Sequence, residues 1–528
     1  MNKLFASLFL ILATTPLSAQ QTVNAPKLVV GITIDQLRTD YLLMMQNAFG
    51  SGGFRRLMNE GIMYENVKFD YPNVNCASAV ATIFTGANPC YHGIVSSTVF
   101  NTEKGRVEPI FYDLEKPGSF TDDFVSPKAL LTSTVCDELK VASDGKSDVY
   151  AVAPSLEQAM ISAGHAANSV FWIDNSTGNW ASTTHYKEMP WYVEQMNQKE
   201  PLSKRIDTMA WKPLLPVRQY HYISYAPTQE FDFKYDFSKS KEKRFIDLKS
   251  SGLVNREVNR MVALLFDHVQ FGLKGIPDFL NVGYSASNYQ YKSVQEYSAE
   301  IQDTYLRLDR DIAQLLDLID KKVGLNNALI FVSSTGHFEG EGKEVSSYGV
   351  PTGEFFPKRA VSLLNMYLMA VYGEQHWVEG YHNGQIFLNR KVIADKLIDI
   401  NDIQTKAAEF LVQMAGVQDV VTSHQLMHGK WNDRVDAMRC GYHRNFSGDL
   451  LLEIRPGWEI VYEDLNGTRE YVRNNAIPAP AFFFGRNIKP ERVTREIDAT
   501  SIAPTVSSIL RIRSPNAAAS AILPEFRR

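Results

Sequence analysis

Cysteine is scarce: four residues, Cys76, Cys90, Cys136 and Cys440, in 528. None stands in a C-x-x-C pair, so a zinc ribbon or thioredoxin-like dithiol is excluded, and four thiols are too few for a disulfide framework, although one bridge is possible. Three other signatures are missing. No H-E-x-x-H marks a zincin, no Gly-rich Lys-Ser/Thr loop cradles a nucleotide, and no G-x-S-x-G places a serine on a strand-to-helix elbow. No apolar run approaches the roughly twenty residues that span a bilayer. Charge of one sign is also lacking. A net charge of −5 spread along the chain gives no electrostatic case for nucleic acid or an anionic membrane surface. There is no internal repeat.

What is present begins with a leader. Lys3 supplies a positive n-region, Leu4 to Thr15 an apolar stretch, and Leu17-Ser18-Ala19 a small residue at the cleavage point. Residues 1–19 read as a signal peptide with Gln20 as the mature N-terminus, which sends the protein to a periplasm-like space without a transmembrane anchor. About 500 mature residues exceed one small core, so one large α/β unit with insertions, or two packed lobes, is expected.

Lys27 to Ile34 is a continuous β-branched, apolar run ending in Asp35. That pattern describes a buried parallel strand with a carboxylate at its C-terminal edge, where open α/β sheets place ligands. Gly53 to Glu60 reads as a following helix, Val149 to Ala153 and Asn327 to Val332 as further strands. Ala79 to Thr85 forms a segment running into Gly86 and the Pro89 turn. Ile301, Tyr305, Leu308, Ile312, Leu315 and Ile319 recur at helical spacing, predicting an amphipathic helix over 297–321. Alternation of this kind implies a doubly wound, mostly parallel sheet. Residues 170–280, rich in aromatics, and 345–450, with Gly, His and Asn in bursts, read as insertions, one of them a cap whose Trp and Tyr stack internally. Asp309, Asp311, Asp317 and Asp320 read as a solvated helix face. His424 and His428 are spaced to share a helix face at the surface.

Seven stretches resemble, in order, blocks of the phosphate-irrepressible alkaline phosphatases and the type I phosphodiesterase/nucleotide pyrophosphatases. They are V-V-G-I-T-I-D-Q-L-R-T-D-Y-L (29–42), G-G-F-R-R-L-M-N-E-G (52–61), T-I-F-T-G-A-N-P-C-Y-H-G-I (82–94), S-A-G-H-A-A (162–167), D-T-Y-L-R-L-D-R-D (303–311), S-G-D-L-L-L-E-I-R-P-G-W (447–458) and I-A-P-T-V-S-S-I-L (502–510). The resemblance implies an alkaline-phosphatase-like fold over residues 20–528. It also implies a chemistry in which two zinc ions, held by Asp and His beside a Thr or Ser nucleophile, neutralise phosphoryl oxygens and stabilise the leaving oxygen.

Set on these blocks, Asp35 takes the place of the first metal-binding Asp and Cys76 that of the nucleophile. A thiolate can attack phosphorus or bind zinc, and a small buried thiol can equally fill an unused pocket. The C-A-S-A-V context departs from the C-x-P-S-R that sulfatases convert to formylglycine. The family's D-x-x-x-H falls on Asn288 to Lys292, an amide and an ammonium. Its A-D-H-G falls on Thr335 and Gly336, with His337 one residue on and Glu339 close by. Its last His, in the stretch aligned with Asn466 to Pro480, has no counterpart. Its K-x-R becomes Ser155-Leu156-Glu157, and its phosphate-binding Asn falls near Ser97.

Three readings follow. The first is a catalytically impaired pseudophosphatase that binds or scaffolds in the cell envelope, with no resident cofactor and an unidentified envelope ligand or protein as partner. The second is an active phosphoester hydrolase using zinc with Asp35, Cys76 and His337. The third is a carbohydrate- or peptide-binding module built on the aromatic cap.

Overall fold

The computed structural model describes residues 25–220, 232–287, 298–338, 349, 351–429, 432–463, 467–472 and 477–527. The expected signal peptide, Asn288, Lys292 and Glu339 lie outside the described residues.

An eleven-stranded sheet organises the chain. Its centre runs Ala328–Ser334, Leu28–Asp35, Asp278–Ser285, Val149–Ala153, Ser169–Ile173, all parallel. Outside these, Ala481–Gly485 pairs antiparallel with Ala328–Ser334 and with Ile62–Lys68, which continues parallel to Glu491–Asp498. At the other flank Trp180–Thr183, Tyr112–Ser119 and the edge strand Phe124–Val125 continue the sheet antiparallel. Alternation along the first strand explains the two layers. Leu28, Val30, Ile32 and Ile34 enter one core with the helices Val254–His268 and Ala299–Lys322, while Val29 enters the other with Cys76–Thr85, Leu156–Ala163 and Ile502–Leu510. Helices on both faces of a mostly parallel sheet meet the expectation of a doubly wound α/β fold.

The expected strands and helices form, with ends moved by a residue or two: Leu28–Asp35, Phe54–Glu60, Val149–Ala153, Ala299–Lys322 and Ala328–Ser334. The 79–85 segment is the end of a helix, Cys76–Thr85. The stretch read as an insertion from residue 170 starts inside the sheet, because Ser169–Ile173 and Trp180–Thr183 are strands of it. Residues 353–461 include a second lobe. Its sheet, in order Val378–His382, Gln385–Leu388, Leu450–Ile454, Val417–Thr422, packs with helices Pro357–Tyr372 and Ile400–Leu411 around a separate core. The buried Asp449 pins it, accepting from Leu388 N (2.9 Å), Arg390 Nε (2.9 Å) and Gln404 Nε2 (3.1 Å). In the aromatic region Trp211 packs edge-on against Phe233 and tilted against Tyr235. The rings of His424 and His428 lie 4.7 Å apart on a short helix, His428 exposed.

One expectation fails. Asp317 and Asp320 face solvent, but Asp309 and Asp311 are buried. Asp309 stands four residues after Tyr305 and three before Ile312, which places it on the core face of its helix. There its carboxylate accepts Gly50 N and Phe54 N, both at 2.8 Å, and caps the start of the Phe54–Glu60 helix from outside. Gly53 makes this approach possible, since a Cβ there would lie 2.2 Å from the Asp309 carbonyl oxygen. Asp309→Ala strips the buried Phe54 N–H and the more exposed Gly50 N–H of their acceptor, and a loss of about 1–3 kcal/mol is expected from urea unfolding. An unchanged midpoint would show the cap to be dispensable.

Candidate active site

The C-terminal edge of the parallel strands carries the site. Asp35 ends the first strand, opposite Ser285, and Thr335 follows the neighbouring strand Ala328–Ser334. Thr335 Oγ1 donates to Asp35 Oδ1 at 2.8 Å and accepts from Gln36 N at 3.3 Å, closing a contact across 300 residues of sequence. Gln36 has φ +60°, so the chain leaves the strand in a sharp, left-handed turn.

Cys76 opens the Cys76–Thr85 helix. Asn75 caps it in a reciprocal box with Ser78: the Asn75 side chain accepts from Ser78 N (3.0 Å) and Asn75 N donates to Ser78 Oγ (3.2 Å). Asn75 Nδ2 also donates to Val95 O at 2.9 Å, so the chain two residues before Ser97 is bound to the same helix start. The positive end of a helix lowers a thiol's pKa. Here the opposite effect wins. Burial, then the charges of Asp35 and Glu157 and a hydrogen bond to Asp35, hold the Cys76 thiol well above its ordinary range.

Ser155 caps the Leu156–Ala163 helix, accepting from Gln158 N, and leaves Glu157 half-buried on its first turn. Gln158 anchors that turn, donating from Nε2 to Thr33 O and Thr33 Oγ1 (both 2.9 Å) and to Tyr284 O (3.2 Å). Sequence reasoning passed over Gln158, and over Lys249, the last residue of the helix Arg244–Lys249. Lys249 Nζ donates to Asn175 Oδ1 at 2.7 Å, and its pKa is pushed down to about 8 by burial, against the pull of Glu157, Asp174 and Asp123. A cation therefore reaches the neighbourhood of Glu157 from another helix, with no local sequence signal to announce it.

His337 does not stand as a plain surface histidine. Its Nδ1 donates to Val74 O at 2.9 Å, two residues before Cys76. Gly336 has φ +62°, and a Cβ there would meet the Phe69 ring at 2.5 Å. A carboxylate- or imidazole-bearing side chain cannot be placed at that position without moving the ring. Asp35 is already engaged by Thr335 and Cys76. Among the described residues no three His, Cys, Asp or Glu side chains form a group able to hold a metal ion. Zinc takes three or four such ligands, and of the described positions Gly336 has no side chain to offer one. Asp35, Cys76, Thr335 and Glu157 are brought together; Ser97 sits on the adjoining loop.

Comparison with known proteins places the chain. The model of the type I phosphodiesterase/nucleotide pyrophosphatase family matches residues 29–476. Alkaline phosphatase PafA of Elizabethkingia meningoseptica is 30% identical over 95% of either chain. A protein of Myroides odoratus named calcium-transporting ATPase is 31% identical over 94% of either chain. The crystal structure of wild-type PafA superposes with a TM-score of 0.84 at 28% identity, covering 95% of this chain and 99% of that one. With its sheet, the order of its sequence blocks and a match extending over most of its length, this chain belongs to the type I phosphodiesterase/nucleotide pyrophosphatase family, within the alkaline phosphatase superfamily.

Proposed function

We propose that this chain is an exported family member that keeps the phosphatase scaffold to bind a ligand in the cell envelope and has given up two-metal phosphoester hydrolysis. The observation that carries the reading is the charge at the site. Where the family's chemistry calls for a nucleophile beside cations, Cys76 has the negative charges of Asp35 and Glu157 acting on it, and burial with these charges raises its thiol pKa. Such a pocket repels a phosphoryl dianion and disfavours the thiolate that would attack it. Thr335, occupied with Asp35, and the closed Gly336 position add to this. Effects on a cooperative site do not add: once one part of the clamp is lost, the remaining groups recover little rate.

A second reading, a hydrolase using Cys76 with Asp35 and His337, is favoured by one contact. His337 gives its Nδ1 proton to a backbone carbonyl, as metal-bound imidazoles commonly do. Relatives named alkaline phosphatase among those similar to this chain favour it too.

One experiment separates them. The mature chain is loaded with zinc, dialysed and analysed for metal, and aryl phosphate hydrolysis is measured with and without Cys76→Ala. Substoichiometric zinc is expected, with turnover at least about 10⁴-fold below a two-metal relative assayed in parallel, unaltered by the substitution. Stoichiometric zinc with Cys76-dependent turnover would establish the hydrolase instead. Export is tested by N-terminal sequencing of the protein from the envelope fraction, which should begin at Gln20.

A further inference from the structure

Two of the four thiols meet. Cys136 is fully buried, donates to Ser162 O at 3.3 Å and accepts from Asn281 Nδ2 at 3.4 Å, so it is a packed core residue. Cys76 is engaged by Asp35. Cys90 and Cys440, 350 positions apart, are both half-buried on helices that pack on one another, and each is the group that acts most strongly on the other's thiol. Cys90 lies on the short helix Pro89–His92, next to the exposed Tyr91, and Cys440 on Asp433–Gly441 of the second lobe. The two helices pack directly. Close by, Gly441 comes so near to the Tyr71–Pro72 segment that a Cβ on it would sit 3.2 Å from the Tyr71 Cβ.

We propose that Cys90 and Cys440 form a disulfide that clasps the second lobe to the segment following the site helix. Pro89–His92 and Asp433–Gly441 pack directly, which puts the two cysteines on facing helices, the placement a bond of about 2.05 Å between their sulfurs requires. The pair is also chemically poised. Beside Cys90 the Cys440 thiol is held below its ordinary range, whereas Cys440 and burial raise Cys90, which keeps its proton. The oxidant is a disulfide, either a small molecule such as oxidised glutathione or an oxidised dithiol protein. The Cys440 thiolate attacks one sulfur of that disulfide, and the other sulfur leaves as a thiolate. Cys90, losing its proton to that thiolate, then attacks Cys440 Sγ and expels the second thiolate. Two protein thiols are oxidised and one disulfide is reduced to two thiols.

The clasp bears on the site through named contacts. Cys90 lies between Gly86, which ends the site helix with φ +67°, and Val95, whose carbonyl holds Asn75 at the helix start. Closing the bridge joins Asp433–Gly441 to the loop that positions Cys76.

The full mature chain is equilibrated in oxidised and in reduced glutathione buffers, denatured and alkylated, and its peptides are mapped. Oxidation is expected to reduce the alkylated thiols from four to two and to give a peptide joining Cys90 to Cys440. It should also raise Tm by several degrees, reversibly with dithiothreitol. The double variant Cys90→Ser/Cys440→Ser should melt like the reduced chain and lose the redox-dependent shift. Four alkylatable thiols after oxidation, glutathione on either cysteine without a joined peptide, or a bridge to Cys76 would each overturn the proposal. Should the variant fail to fold, mapping of the unaltered chain decides alone.

Discussion

Asp303→Ala is expected to destabilise the chain by about 3–5 kcal/mol, the range for removing one member of a buried, hydrogen-bonded ion pair. Asp303 is fully buried on the first turns of the Ala299–Lys322 helix, and its two oxygens collect four donors. Oδ1 accepts Leu214 N at 2.6 Å and the Tyr220 hydroxyl at 2.8 Å; Oδ2 accepts Trp211 Nε1 and Arg307 Nε, both at 2.6 Å. The helix start favours the negative charge, and Arg307 one turn on supplies the balancing cation. This carboxylate thus holds the aromatic region 211–220 onto the core helix. Denaturation of Asp303→Ala followed by tryptophan fluorescence should show a lowered midpoint and altered emission from Trp211. Asp303→Asn, which keeps an acceptor for Leu214 and Tyr220 but faces two donors with an amide, should lie between. A Tm within a degree of the parent for the alanine variant would sink this account.

Acid is expected to weaken the fold well above the pH at which carboxylates titrate, through His92. The ring is fully buried; burial, then the positive field of His443, lowers its pKa from 6.5 to about 3. Nδ1 accepts from Ile94 N at 3.1 Å, which leaves the Nε2 proton directed at Thr82 Oγ1, 3.2 Å away. Thr82 in turn donates to Ser78 O inside the site helix at 3.0 Å. Between pH 6.5 and about 3 the unfolded chain binds a proton at this position that the folded chain refuses. Stability therefore falls as pH falls through that window, by roughly 1.4 kcal/mol per unit and on the order of 5 kcal/mol in all. His443, also lowered by burial, acts in the same direction. His92→Asn keeps an acceptor near Ile94 N and has no titrating ring. It should be less stable at pH 7 yet show a distinctly shallower loss between pH 6.5 and 4. Parallel stability–pH curves for the two proteins would rule His92 out as the cause.

How much of this was legible depended on range. The strand ending in Asp35 and the helix 299–322 were readable because burial on both faces and a 3.6-residue period are written locally. Asp309 was misread although its spacing placed it on the core face: a charge is expected outside, and its partners, Gly50 and Phe54, lie over 250 residues away. At the site, residue types were informative one position at a time. That residue 157 is an acid and residue 336 a glycine was legible in the sequence itself. The hydrogen bond from Cys76 to Asp35, the shielding of Asp35 by Thr335 and the approach of Lys249 to Glu157 needed the tertiary structure.

The sequence alone determined the family, the sheet's buried strands and the unusual chemistry of single site positions, because each resides in a short block or a residue type. Only the tertiary structure decided which groups meet: Asp35 with Thr335, Asp303 with Trp211, Cys90 with Cys440. These contacts join segments that periodicity and spacing cannot relate. They form because the strands align in register and pack their helices on both faces, and it is that packing, not any local signal, that raises a thiol's pKa or lowers an imidazole's.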